Sequence, residues 1–115
     1  MEQVKAMLSV MIVDDEPPAR ARLGQVLRDC SEQVSLQLVG EADGGIQGLE
    51  EADRLQPDVI LLDVHMPDMN GIEVARHLAQ RDNPPAVIFV TAYDEHALDA
   101  FEVQALDYLM KPVRA

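Results

Sequence analysis

Four apolar runs in this chain each end on residues able to do chemistry. Leu8-Ser9-Val10-Met11-Ile12-Val13 gives way to Asp14-Asp15-Glu16, and Val59-Ile60-Leu61-Leu62 passes directly into Asp63. Ala86-Val87-Ile88-Phe89-Val90 reaches Thr91-Ala92, and Leu106-Asp107-Tyr108-Leu109-Met110 reaches Lys111-Pro112. If these ends share one rim, carboxylates some 4–6 Å apart repel by roughly 3–4 kcal/mol per ionised pair at an effective dielectric near 20. Either one acid holds a proton or a divalent cation sits among them. A few oxygen ligands suit Mg2+ with retained waters better than an all-protein calcium cage. A hydroxyl and a fixed positive charge opposite that cation would cradle a tetrahedral dianion, as phosphoryl transfer requires. The nucleophile would be a carboxylate, giving an aspartyl phosphate. Singly, each residue has a plainer reading: Asp14-Asp15 as a helix cap, Thr91 as a strand former, Lys111 as a solvated charge. Their joint occurrence at successive strand ends favours the chemical one.

The intervening segments decide whether these ends can meet. An unbroken apolar run such as Val59–Leu62 reads as a strand covered on both faces, which places Asp63 at the carboxyl edge where open α/β sheets bind ligands. After Asp14-Asp15, Pro17 and Pro18 suit the first turn of a helix, which carries Ala19, Leu23, Val26, Leu27 and Cys30 at helical spacing. Leu36, Leu38 and Val39 mark a second, less apolar strand, expected at a sheet edge. Gly44-Gly45 precedes a short helix carrying Ile46, Leu49 and Ala52 up to Pro57. Asn70-Gly71 opens a helix with Ile72, Ala75, Leu78 and Ala79 inward, and Pro84-Pro85 ends it. Asp94 is placed to cap a helix containing Ala97, Leu98 and Phe101.

The alternation β-α-β-α-β-α-β-α-β implies an α/β fold with a parallel sheet and helices on both faces. The expectation is a flavodoxin-like, doubly wound five-stranded sheet of order 2-1-3-4-5. That order makes the first and third strands neighbours and brings Asp14, Asp15 and Asp63 to its switch point. A fifth helix would be needed to cover one face. Only three residues follow Pro112, so the last helix is expected to be truncated, leaving apolar surface that favours dimerisation or swapping of elements. Met1–Ala6 is short and polar and is expected to be an added extension, with the domain running over residues 7–115.

Composition narrows the function classes. The length of 115 residues bounds one domain, and 48% hydrophobic residues argue against disorder. The apolar runs are strand-sized, so no membrane span is expected. The net charge of −12 should repel nucleic acid rather than grip it. A single cysteine, Cys30, excludes an internal disulfide and fits a cytoplasmic location. His65, His77 and His96 lie on separate elements without zinc-ligand spacing. No Gly-rich turn follows the first strand, which excludes a dinucleotide site.

In order, Asp14-Asp15, Asp63, Thr91-Ala92 and Lys111-Pro112 resemble the signature of the response-regulator receiver domain, over essentially Leu8 to Val113. Asp14-Asp15-Glu16-Pro17-Pro18-Ala19-Arg20 and Thr91-Ala92-Tyr93-Asp94-Glu95-His96-Ala97-Leu98-Asp99-Ala100-Phe101 are similar to the LytR/AlgR-type subgroup, with Pro18 a departure from the larger apolar residue usual there. The resemblance implies Asp63 as phosphoacceptor, and Mg2+ held by the carboxylates of Asp15 and Asp63 and the backbone carbonyl of His65. Asp14 would act mainly through metal-bound water. It also implies that Thr91 and Lys111 contact the phosphoryl oxygens, that Tyr108 is the aromatic switch partner of Thr91, and that the Lys111-Pro112 bond is cis.

The function this implies is a phosphorylation-controlled switch rather than a metabolic enzyme. A sensor histidine kinase would be its donor, slow autodephosphorylation its return path, and the surface of the fourth helix and fifth strand its output. A homodimer on activation is expected. DNA would be contacted only through a C-terminal domain absent from this sequence. Two alternatives stand beside it. An aspartyl-phosphate hydrolase typically places a second acid two residues after its nucleophile, where this chain has His65. A pseudo-receiver, a binding module that is not phosphorylated, normally lacks some of the acids or the lysine, all of which are present here.

Overall fold

The computed structural model describes residues 7–91 and 107–110. Eight elements follow in the order β1 (Leu8–Val13), α1 (Pro17–Cys30), β2 (Leu36–Ala42), α2 (Gly45–Leu55), β3 (Val59–Leu62), α3 (Gly71–Ala79), β4 (Ala86–Thr91) and β5 (Asp107–Met110). The strands form one parallel sheet of order β2-β1-β3-β4-β5, the expected doubly wound arrangement. The proposed cap at Asp94, the helix through Phe101 and the Lys111-Pro112 bond lie outside the described residues.

Period-two alternation in the strands builds two cores, one on each face of the sheet. Met11, Val13, Ile60, Leu62, Val87 and Phe89 pack with Ala52 of α2 and with Ile72, Val74, Ala75 and Leu78 of α3. Their neighbours in sequence, Val10, Ile12, Leu61 and Val90, face the other way and pack with Leu23 of α1, with Leu27 against them. A strand flanked by helices on both faces needs apolar residues at every position, which is why Val10–Val13 of β1, all of β3 and Ala86–Val90 of β4 read as unbroken apolar runs.

Three local features depart from the sequence reading. β2 runs on through Gly40-Glu41 to Ala42, beyond the apolar residues that mark its start. Its register with β1 slips between Val10 and Met11, so that Val39 is passed over and Met11 pairs with Gly40. Gly40 lies beneath α2, where a Cβ would stand 2.5 Å from Leu55 Cδ1. In α3 the buried residue is Val74 rather than Ala79, which is exposed; the stripe Gly71, Ile72, Val74, Ala75 and Leu78 closes before Ala79. Ile46 likewise is exposed, because α2 buries Gly45, Gly48 and Ala52 instead. Cys30 is half-buried at the end of α1.

The helix ends follow from their sequences. Pro17-Pro18 occupy the first turn of α1 behind an extended Glu16. α2 ends on Gln56 in the left-handed region, φ 47° and ψ 60°, whose N–H donates to Ala52 O at 2.8 Å before Pro57 prevents continuation. Asn70 caps α3, its Oδ1 accepting from Ile72 N at 2.6 Å. Among the described residues, no helix is long and apolar enough to cross a membrane.

Candidate functional site

Pairing of β1 with β3 sets Val13 beside Leu62, so the next residue on each strand is an aspartate at the same edge. Asp63 N donates to Val13 O at 3.0 Å, and Asp14 N donates to Ala42 O at 3.0 Å, extending the ladders one residue past the strands. Both carboxylates are thereby held under the rim: Asp14 is 1% exposed and Asp63 4%. Asp15, the next residue, is half-buried. One oxygen from each of the three lies within 4.8 Å of the others.

Such a cluster is electrostatically costly alone. At an effective dielectric of 20 each ionised pair at that separation repels by about 3–4 kcal/mol. The donor set is oxygen only, from three carboxylates converging from two loops, which fits a hard divalent cation such as Mg2+ rather than zinc. Among the described residues, His65 and His77 do not enter the cluster. The ring of His65 is exposed, while its N–H makes a long 3.4 Å contact with Asp63 Oδ1.

Each acid-bearing loop is tied from outside. In the β1–α1 loop, Asp14 Oδ1 accepts from Glu16 N at 2.9 Å, which turns the chain into the prolines of α1. Arg20, one turn into α1, donates from Nη1 to the Asp14 carbonyl at 2.7 Å, and its Nε stands 3.4 Å from Glu41 Oε1 at the end of β2. In the β3–α3 loop, Gly71 N donates to Val64 O at 2.8 Å. A Cβ on Gly71 would overlap the carbonyl oxygen of Asp63 and stand 2.8 Å from Val64 Cα, so α3 can begin here only on glycine. Farther along, Asp68 Oδ1 and Oδ2 accept from Gly45 N at 2.9 Å and Ile46 N at 3.1 Å, at the start of α2. These donors, Gly45 first, hold the Asp68 carboxyl below its ordinary range.

Two further expected site residues lie on strands on the other side of Asp63. Thr91 closes β4, the neighbour of β3, and pairs with Met110 of β5. Tyr108 pairs through its main chain with Phe89. Lys111, which follows Met110 in sequence, lies outside the described residues. The sequence reading missed Arg20, Asp68 and Gly71 as parts of the site. Only Gly71 left a trace in sequence, as the second residue of an Asn-Gly pair opening a helix.

The response regulator receiver domain model matches residues 10–115. The chain is 47% identical over 108 residues to the positive alginate biosynthesis regulatory protein of Pseudomonas aeruginosa, covering 94% of this chain and 43% of that protein. It is 47% identical over 106 residues to the sensory transduction protein LytT of Bacillus cereus, covering 92% and 42% respectively. The chain thus spans less than half the length of these relatives. Among solved structures, the receiver domain of the putative response regulator NarL from Mycobacterium tuberculosis is similar with a TM-score of 0.80 and 35% identity, over 96% of this chain and 88% of that one. The response regulator domain of Thermotoga maritima CheB is similar with a TM-score of 0.79 and 31% identity, over 93% and 80%.

Proposed function

The chain belongs to the response regulator receiver domain family, in its LytR/AlgR-type subgroup, and we propose that it acts as a phosphoryl-accepting switch with Asp63 as the acceptor. The observation that carries this reading is the convergence of Asp14, Asp15 and Asp63 at the carboxyl ends of adjacent parallel strands. Asp15 and Asp63, with the His65 carbonyl, would hold Mg2+, and Asp14 would meet it through water. When bound, the cation neutralises the cluster and the charge on the incoming phosphoryl oxygens.

The donor is a phosphohistidine on a sensor kinase. A carboxylate oxygen of Asp63 attacks phosphorus, the P–O bond forms as the P–N bond breaks, and the released imidazole takes a proton from solvent. Burial of Asp63 keeps bulk water away from the resulting acyl phosphate and limits its hydrolysis. The Thr91 hydroxyl and the Lys111 ammonium hold the phosphoryl oxygens. Movement of Thr91 toward them opens space into which Tyr108 turns, altering the β4–β5 side of the sheet and favouring a homodimer. Output to DNA would pass through a further domain, as the greater length of the relatives allows.

The test is phosphorylation by acetyl phosphate with Mg2+. Wild type should take up one hydroxylamine-sensitive phosphoryl group, and Asp63→Asn none. Labelling of equal extent in the variant would overturn the assignment.

A further inference from the structure

α2 starts without a side-chain cap of its own. Its N-cap is Gly44, and its first turn carries no acid. The cap comes instead from 23 residues away: Asp68, in the loop leaving Asp63, bridges Gly45 N and Ile46 N with both carboxylate oxygens. An anion here also meets the positive end of the helix dipole. The glycine pair is shaped to receive it. A Cβ on Gly44 would stand 2.9 Å from Asp68 Oδ2, and one on Gly45 would stand 2.7 Å from Met69 Cβ. Gly44 is extended, a conformation open to any residue, so space rather than backbone freedom requires glycine there.

The loop from Val64 to Asn70 is thus pinned along its length. Val64 O is held by Gly71 N, Met66 is buried in the core, Asp68 grips α2, and Asn70 caps α3. His65, whose main chain would supply a metal ligand, lies between the first two pins. α2 is itself seated against the other acid-bearing strand, since a Cβ on Gly48 would stand 3.0 Å from Val13 Cγ1, one residue before Asp14.

We propose that Asp68 is a positioning residue for the cation site: by tying the β3–α3 loop to the start of α2, it fixes the His65 main chain relative to Asp14 and Asp15. This rests on the reading of Asp63 and its neighbours as an Mg2+ site. The side chain touches neither cation nor phosphoryl group. It acts by removing the freedom of the loop that would otherwise have to be ordered when the cation binds.

The test is Mg2+ binding by calorimetry, without phosphodonor, on wild type, Asp68→Ala, Asp68→Asn and Arg81→Ala. Arg81→Ala is the control. It breaks a different side-chain tie to α2, the paired contacts of 2.9 and 3.2 Å between Arg81 and Asp53, toward the opposite end of that helix. Asp68→Ala should weaken Mg2+ binding about tenfold. Asp68→Asn keeps one acceptor oxygen and should fall between it and wild type, while Arg81→Ala should match wild type. With acetyl phosphate, the Mg2+ concentration for half-maximal labelling should rise in parallel, and the rate at saturating Mg2+ should stay within about twofold. Unchanged Mg2+ affinity in Asp68→Ala, or an equal loss in Arg81→Ala, overturns the positioning role alone. Wild type that binds no Mg2+ overturns both this proposal and the function it rests on.

Discussion

Replacing Asp14 by Asn should stabilise the metal-free protein. The substitution keeps the shape and the oxygen that accepts from Glu16 N at 2.9 Å, while removing one of three charges within 4.8 Å of one another. Two of the three repulsive pairs vanish. Each is worth about 3–4 kcal/mol at an effective dielectric of 20. The pair with Asp15 is discounted because that residue is partly exposed and screened, whereas Asp14 and Asp63 are both buried. The new amide must in turn be desolvated, which costs roughly 1–3 kcal/mol before neighbouring carboxylates accept from it. A net gain of about 2 kcal/mol remains, or about 8 °C in Tm for a domain of this size. Thermal unfolding followed by circular dichroism in EDTA measures it. Mg2+ should then change the comparison. Wild type gains about 2.7 kcal/mol at a cation concentration a hundredfold above its Kd, and Asp14→Asn should gain much less. A variant no more stable than wild type in EDTA would refute the claim that the acids repel one another in the fold.

Gly71→Ala should cost at least about 1–3 kcal/mol, as overpacking does, because the added methyl meets the main chain of Asp63 and Val64; urea denaturation measures it, and Mg2+ affinity should fall with it. The Asp68 contribution should depend on pH in a defined sense. Its folded carboxyl sits below the ordinary value of 3.8, so its stabilisation is fully present above that value and is lost as pH falls through the lowered one. The stability difference between wild type and Asp68→Asn, followed by denaturation from pH 7 downward, should therefore hold steady to near pH 4 and shrink below it.

The sheet and its acid-bearing edge are legible in the sequence because burial on both faces leaves unbroken apolar runs, as at Val59–Leu62, and each run ends abruptly on an acid. β2 is legible only in its first half. Gly40 and Glu41 carry no apolar signal, since the glycine is demanded by the Leu55 side chain of α2 and the glutamate faces Arg20. Ala79 belongs to the expected stripe by spacing, yet α3 turns it to solvent and buries Val74, because where the sheet lies relative to the helix is a tertiary matter. The same limit explains Asp68 and Arg20. Their partners, Gly45 and Ile46 for one and the Asp14 carbonyl with Glu41 for the other, are backbone groups and a surface acid that the chain order alone does not place nearby.

The slip in pairing at Val39 has an effect beyond the edge it interrupts. Ahead of it, the even-numbered Leu36 and Leu38 look toward α1; behind it, the even-numbered Ala42 looks toward α2 and α3. One surplus residue has inverted the strand's parity. That inversion is what delivers Glu41 to the α1 side, within reach of the guanidinium that also grips Asp14. In a β2 paired without the surplus residue, Glu41 would point into the opposite core and Arg20 would lose its acidic anchor. The irregularity in an outer strand thus acts as a selector, deciding which side of the sheet supports the acids at its centre.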